Sequence, residues 1–324
     1  MMTTTATACR ALVLADRDSG SLQPLSEGLL PALVPIAGKS VLQHCIEDLW
    51  EAGVRDALVA VPAGDRRIRA ELGNGQRFGM TLCYVESAGQ QLPGELLSMA
   101  GQSPGASLFV ARGDVLRGRA AARLLEQSAA IDADIVHGTI GGRPIGMALL
   151  DRRCPGVDSL AWNALRSQRP AVEDSCVDVG PLGLALLDGL PSLFEACLGA
   201  LDGTFTGLAV GGRRMKGSSM YVGPRTSLAR SVVNSGICRI GVGAELHEGI
   251  ELAGRVDIGD RCVIDDGAQL IDSVVMPGTY VGRGVRLQSA IACGAWLYRA
   301  DLQTCQRVED PLLLAAGPST EVAA

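Results

Sequence analysis

The sequence predicts two structural classes in tandem: an α/β domain with a mostly parallel sheet, then a parallel β-helix built from hexapeptides. Three observations carry this reading. Short apolar runs alternate with helical patterns over residues 9–140. Near residue 231 the rhythm changes, and an apolar side chain recurs at every sixth position. Glycine and aspartate crowd the positions between, as tight corners require.

In the first part, Ala11-Leu-Val-Leu14 reads as a buried strand. Ser40 to Ala52 follows as an amphipathic helix, with Val41, Leu42, Cys45, Leu49 and Trp50 at helical spacing and Gly53 as the stop. Asp56–Val61 is the second strand. A charged helix at about Asp65–Leu72 leads to strand Met80–Val85. A short helix near Gly94–Ala100 precedes strand Ser107–Ala111. Helix Arg119–Ala130 then leads to strand Asp134–Thr139. In such a sheet, ligands bind beyond the C-terminal ends of the strands.

In the second part, Ile240, Leu246, Leu252, Ile258, Ile264 and Leu270 keep the six-residue step. Four residues after each stands a second small or apolar side chain: Ala244, Ile250, Val256, Cys262, Ala268 and Val274. The phase slips by one residue and resumes at Val275, Val281 and Leu287. Neither a helix nor a simple strand has this period. It fits a coil with three short faces per turn. The expected organisation is 1–228 for the α/β domain, 229–305 for the β-helix and 306–324 for a C-terminal tail.

Composition narrows the class. Aromatic residues are only 3% of the chain, so Leu, Val, Ile and Ala must fill the core. The net charge of −6 argues against a nucleic-acid partner, because the Arg66-Arg67 and Arg213-Arg214 pairs are isolated and phosphate contacts need a clustered basic surface. No run reaches the roughly 18 apolar residues of a membrane span. Met1–Arg10 lacks the apolar core of a signal peptide, and the ten cysteines are scattered without a C-x-x-C pair. Reduced thiols in the cytoplasm are the expectation.

The N-terminal half carries four stretches: Leu22-Gln-Pro-Leu-Ser26, Leu33-Val-Pro-Ile-Ala-Gly-Lys39, Val41-Leu-Gln-His44 and Glu51-Ala-Gly-Val54. Together they resemble the opening of the sugar-1-phosphate nucleotidyltransferases, the nucleotide-sugar pyrophosphorylases. The resemblance implies a Rossmann-like nucleotidyltransferase domain, and it implies that the hexapeptide coil is left-handed. It also implies transfer of a nucleotidyl group from a nucleoside triphosphate to a sugar 1-phosphate. Such transfer depends on positioning and charge neutralisation by a Gly-x-Gly-Thr-Arg loop, a Pro-Lys pair and two aspartates that hold Mg2+.

Matched residue by residue, the chain departs from that pattern. After Leu14 and Ala15, the two loop glycines fall on Arg17 and Ser19, and the phosphate arginine falls on Ser21. The Pro-Lys pair falls on Leu30-Pro31, without the lysine. The second metal aspartate falls on Tyr221, in Ser219-Met-Tyr-Val-Gly-Pro224. The Glu-Lys-Pro of the sugar-selecting middle segment does not appear. A phosphate cradle needs backbone N–H groups at close approach, which a Cβ obstructs. Each lost cation or ligand removes orders of magnitude in rate.

Some features remain. Arg112-Gly113-Asp114 resembles the family's Gly-Asp, whose carboxylate binds Mg2+; an Asp at a strand end is equally a turn residue. Gln91-Leu-Pro-Gly94 resembles the base-contacting loop, and Pro-Gly is equally plain punctuation. The candidate nucleotide-binding set is therefore Leu14, Ala15, Gln91, Gly94, Gly113 and Asp114, with Asp114 the candidate metal ligand. His44 and His137 read as packed histidines. His247, on the second hexapeptide, keeps an acyltransferase reading open, and Asp265-Asp266 reads as a coil corner.

The expected function is a catalytically impaired family member that binds a nucleotide or nucleotide-sugar, regulates, or scaffolds. Mg2+ would be needed only if a nucleotide is bound. The expected partners are copies of itself through the β-helix and an active paralogue. The competing readings are an active enzyme in which Arg17 and Lys39 replace the lost cations, and a purely structural oligomerisation protein.

Overall fold

The computed structural model describes residues 10–18, 20–25, 29–89, 91, 93–101, 107–151 and 175–317. Its first part is a seven-stranded sheet. The strands are β1 (Arg10–Leu14), β2 (Asp56–Pro62), β3 (Thr81–Ser87), β4 (Ser107–Arg112), β5 (Ile135–Ile140), β6 (Arg143–Asp151) and β7 (Ser175–Asp178). They lie in the order β7-β5-β6-β4-β1-β2-β3. All neighbours are parallel except β6, which runs antiparallel between β4 and β5. The sheet is thus mixed and mostly parallel.

Both faces of β1, an interior strand, are buried. Leu12 and Leu14 pack on one face with Leu58, Val110 and Leu96. Ala11, Val13 and Ala15 pack on the other, against Leu42, Cys45, Ile46 and Leu49 of helix α1 (Val41–Glu51). Ser40 caps α1 by accepting from the Gln43 N–H at 3.2 Å. Trp50 does not join this buried face. It is 42% exposed, with the Arg55 guanidinium 5.3 Å over its ring. Helices α2 (Arg67–Leu72), α3 (Pro93–Met99) and α4 (Ala121–Ser128) follow the sequence expectation closely.

No element is expected from the sequence between 141 and 215, yet β6, β7 and helix α5 (Leu190–Asp202) lie there. The signals for α5 were present. Ser192 Oγ bonds both backbone groups of Gly189, Pro191 stands in the first turn, and Gly203 closes the helix at φ 84°.

The second part consists of stacked strand ladders. Ser227 pairs with Glu245, and Glu245 with Val263; Cys238 pairs with Val256; all these strands are parallel. Each step is 18 residues, so three hexapeptides make one turn of chain. Ile240, Leu246, Ile250, Leu252, Val256, Ile258, Cys262, Ile264, Ala268 and Leu270 pack together inside. The phase slip has a local cause. The corner between Ala253 and Val256 holds two residues, whereas the next holds only Asp272, at φ 43°. Val274 consequently points outward, and Val275 takes the inner place. This corrects the expectation for Val274.

Strand pairing with the ladders begins at Arg213–Arg214 and Met220–Val222, ahead of residue 229. It continues past 305. Trp296–Arg299, Thr304–Arg307 and Leu314–Ala316 pair antiparallel and close the C-terminal end.

The two parts share a buried seam. Leu193, Phe194, Cys197 and Leu198 of α5 pack with Val274, Met276, Ile291 and Tyr298 on the outside of the coil. Val34, Ile36 and Ala37 join the same cluster. Beside them, Arg239 holds Asp257 at 2.6 Å and Asp260 at 3.3 Å. Gly38, at φ 91°, rests directly on this guanidinium, where a Cβ would stand 2.6 Å from Nε. The Leu33–Lys39 stretch that carries the resemblance therefore serves the seam.

Candidate functional site

The ends of β1, β3 and β4 meet where a ligand of such a sheet is expected. Leu14 pairs with Arg112, so the residues just beyond each strand face one another. The Gly113 N–H donates to the Leu14 carbonyl at 2.7 Å, and the Ala15 N–H to Ala60 at 2.9 Å. These backbone groups of Leu14, Ala15 and Gly113 thus continue the sheet. Gly113 also has a packing reason: a Cβ there would lie 2.6 Å from Leu42 Cδ1 and 3.1 Å from Val13 Cγ1.

Asp114 is 2% exposed and lies between two guanidinium groups. Arg112 grips it in bidentate fashion, with Nε to Oδ1 at 2.9 Å and Nη2 to Oδ2 at 2.6 Å. Arg17 Nε stands 2.7 Å from the same Oδ2. That contact is an ion pair without hydrogen-bond alignment, and the buried Arg17 Nε makes no hydrogen bond. The rest of the Arg17 guanidinium donates to the carbonyls of Leu187, at 2.8 Å, and Leu186, at 3.4 Å. Ser21 Oγ donates to the same Leu187 oxygen at 3.3 Å. Leu187 is buried with φ 51°, which presents its carbonyl to the loop. Burial lowers the Arg17 pKa, and the nearby Asp114 charge opposes that shift.

The expected positions are thus brought together in part. Arg17 and Ser21, which the resemblance aligns with phosphate-handling positions, staple the loop after β1 to the segment before α5. Gln91 Oε1 accepts from the Ala88 N–H at 2.9 Å and lies 3.0 Å from Ser87 Oγ, which hydrogen-bonds Asp16. Gly94 sits in the first turn of α3. Pro31 is buried in a 3-10 turn, Pro31–Leu33, whose Ala32 and Leu33 pack in the α/β core. Tyr221 is paired with Arg239 in the coil ladder, whereas Asp114 lies in the turn after β4. Ser19 lies outside the described residues. Lys39 does not act as a spare cation: Glu47 holds its Nζ at 2.7 and 2.8 Å. Arg112, Asp16, Ser87 and the Leu186–Leu187 carbonyls were absent from the candidate set. Only Arg112 carried a signal, as a cation two residues from the candidate ligand.

The donor set does not fit a hydrated divalent ion. Mg2+ keeps several waters in an octahedral shell, whereas the Asp114 carboxylate is nearly sealed from solvent and both its oxygens are engaged by arginines. The other expected ligand position carries a phenol, in the coil ladder.

The histidines are accounted for similarly. His44 Nε2 meets the Ile36 carbonyl at 3.0 Å, and burial holds its pKa down at about 4. His137 is buried in β5. His247 Nδ1 meets Asp265 Oδ1 at 3.0 Å on the coil surface, while Tyr280 donates to Asp265 and Arg283 to Asp266. A separate groove of about 1060 Å3 on the coil, lined by Arg214, Lys216, Asn234, Arg255 and Asp272, shares no residue with the Asp114 cluster.

With this geometry in view, residues 10–148 match the family model described as nucleotidyl transferase. This segment is similar to sugar-1-phosphate nucleotidyltransferases. It is 36% identical over 76 residues to a glucose-1-phosphate thymidylyltransferase of Streptomyces griseus, covering 24% of this chain and 21% of that protein. It is 28% identical over 126 residues to a mannose-1-phosphate guanylyltransferase of Mycobacterium tuberculosis, covering 39% and 35%. A UTP--glucose-1-phosphate uridylyltransferase of Synechocystis is 21% identical over 342 residues, covering 89% of this chain and 88% of the relative. The first two alignments span about a fifth and about a third of the relatives' length, so they speak for the nucleotidyltransferase segment alone. Among the described residues, no helix is long and apolar enough to cross a membrane.

Proposed function

We propose that this chain is a nucleotidyltransferase-fold protein of nucleotide-sugar metabolism that has lost transfer and acts by binding, regulating or scaffolding. The observation that carries the reading is the Arg17–Asp114–Arg112 cluster. The loop residue that should leave room for phosphate turns inward, and the carboxylate that should hold a metal is neutralised by side chains. Gln91 and Gly94, which follow β3 in the chain, are the candidates for contact with a nucleotide or nucleotide-sugar. The 18-residue ladders support a parallel β-helix as the second part, left-handed as the family resemblance implies, with pairing to the coil beginning at Arg213–Arg214. The C-terminal end is closed by antiparallel strands, so self-association, or pairing with an active paralogue, is assigned to the open edge at Ser227–Leu228 and Val233–Asn234. A cytoplasmic setting suits the buried thiols of Cys45, Cys197, Cys238 and Cys262.

The test is pyrophosphate release by the full chain over the common nucleoside triphosphates and several sugar 1-phosphates, with Mg2+. The expected result is background. Turnover of about 1 s−1 or faster, ordinary for enzymes, would sink the proposal.

A further inference from the structure

We infer that Arg17 is an internal cation standing in the place of a divalent metal, so that the chain carries a masked metal site at Asp114. The inference rests on the reading of the cleft as a nucleotidyltransferase cleft without transfer, and it names what replaced the metal there.

The geometry supports the exchange. A carboxylate offers about four lone-pair positions on its two oxygens. Arg112 occupies one on each oxygen, and Arg17 stands 2.7 Å from Oδ2. With the residue 2% exposed, no side of the carboxylate remains for a hydrated ion. Arg17 is anchored at its far end as well, through Leu186 and Leu187, so it is held in place. Asp114, Asp188 and Asp18 all act electrostatically on this guanidinium. Removing its charge leaves three carboxylates balanced by Arg112 alone among these groups, a surrounding that draws in a cation. A point charge is the part of the arginine that matters. A lysine should still exclude a metal, and an uncharged side chain of similar reach should not.

The experiment is Mn2+ titration of the full chain, followed by the electron paramagnetic resonance signal of the free ion. The wild type should show no stoichiometric binding. Arg17→Gln should bind one Mn2+ at least tenfold more tightly than the wild type. Arg17→Gln/Asp114→Asn should lose that gain, and Arg17→Lys should behave as the wild type. Arg17→Gly serves as a second neutral variant, each variant being scored when its circular dichroism matches the wild type. Stoichiometric Mn2+ binding by the wild type that Asp114→Asn abolishes would overturn the inference without recourse to any Arg17 variant. So would a folded neutral variant with no gain. The two proposals fail separately. Pyrophosphate release sinks the loss of transfer, whereas Mn2+ at wild-type Asp114 sinks the masking.

Discussion

Gly38→Ala probes the seam at its tightest point. Gly38 has φ 91°, and a Cβ there would lie 2.6 Å from Arg239 Nε, 2.8 Å from Nη2 and 2.9 Å from Cζ. The guanidinium has little freedom to yield, because Asp257 holds it at 2.6 Å and Asp260 at 3.3 Å, and Arg239 is 6% exposed. An L-residue in this left-handed region costs about 1–2 kcal/mol. Forcing a methyl group into a filled site adds about 1–3 kcal/mol. The expected destabilisation is therefore about 2–5 kcal/mol, summed from those two ranges. Gly53→Ala separates the two effects, since Gly53 has φ 92° with nothing within 4 Å of its Cβ position. That control should lose only the backbone part, about 1–2 kcal/mol. Guanidinium chloride unfolding measures both losses. Hydrogen exchange should also quicken in α5 and in Ile237–Ile240 for Gly38→Ala alone. Equal losses for the two variants would refute the reasoning, because the contact with Arg239 would then contribute nothing.

Two further predictions concern charge. Asp114→Asn should destabilise the chain by about 3–5 kcal/mol, because two guanidinium groups lose their buried counter-charge. Thermal unfolding without metal measures this, and a stabilised variant, as expected when a repelling metal-free carboxylate is removed, would contradict the assignment. His44 should make stability fall in mild acid. Its folded pKa of about 4 lies below the ordinary 6.5, so the unfolded chain binds the proton first. Its contribution is complete above pH 6.5 and is lost progressively as pH falls toward 4. At most about 3–4 kcal/mol is involved, at 1.36 kcal/mol per pKa unit. His44→Gln should flatten stability across that window in denaturant titrations, and an unchanged slope would exclude His44 as its source.

The sequence revealed the strand–helix alternation and the six-residue step because both are local periodicities. Five strands and four helices lie near their expected places, and even the phase slip was visible before its cause at Asp272. What escaped was non-local. Trp50 sits at helical spacing, but only the fold shows that its stripe edge meets solvent and Arg55. β6 runs antiparallel amid parallel neighbours, a pairing choice that no local pattern records. At the candidate site, Arg17 was legible as a lost glycine. That its side chain would turn back onto Asp114 depends on the Leu14–Arg112 register and on carbonyls some 170 positions away in sequence. Gly38 stood out as a surviving motif residue, although its partner Arg239 comes from the coil.

The central claim is that Asp114 is satisfied by arginine rather than by a metal. Anomalous scattering from wild-type crystals grown with Mn2+ and a nucleoside triphosphate tests it most directly. The account predicts no anomalous peak at the Asp114 carboxylate, with Arg17 and Arg112 both still in contact with it. A peak within coordination distance of Asp114, with Arg17 displaced, would contradict it.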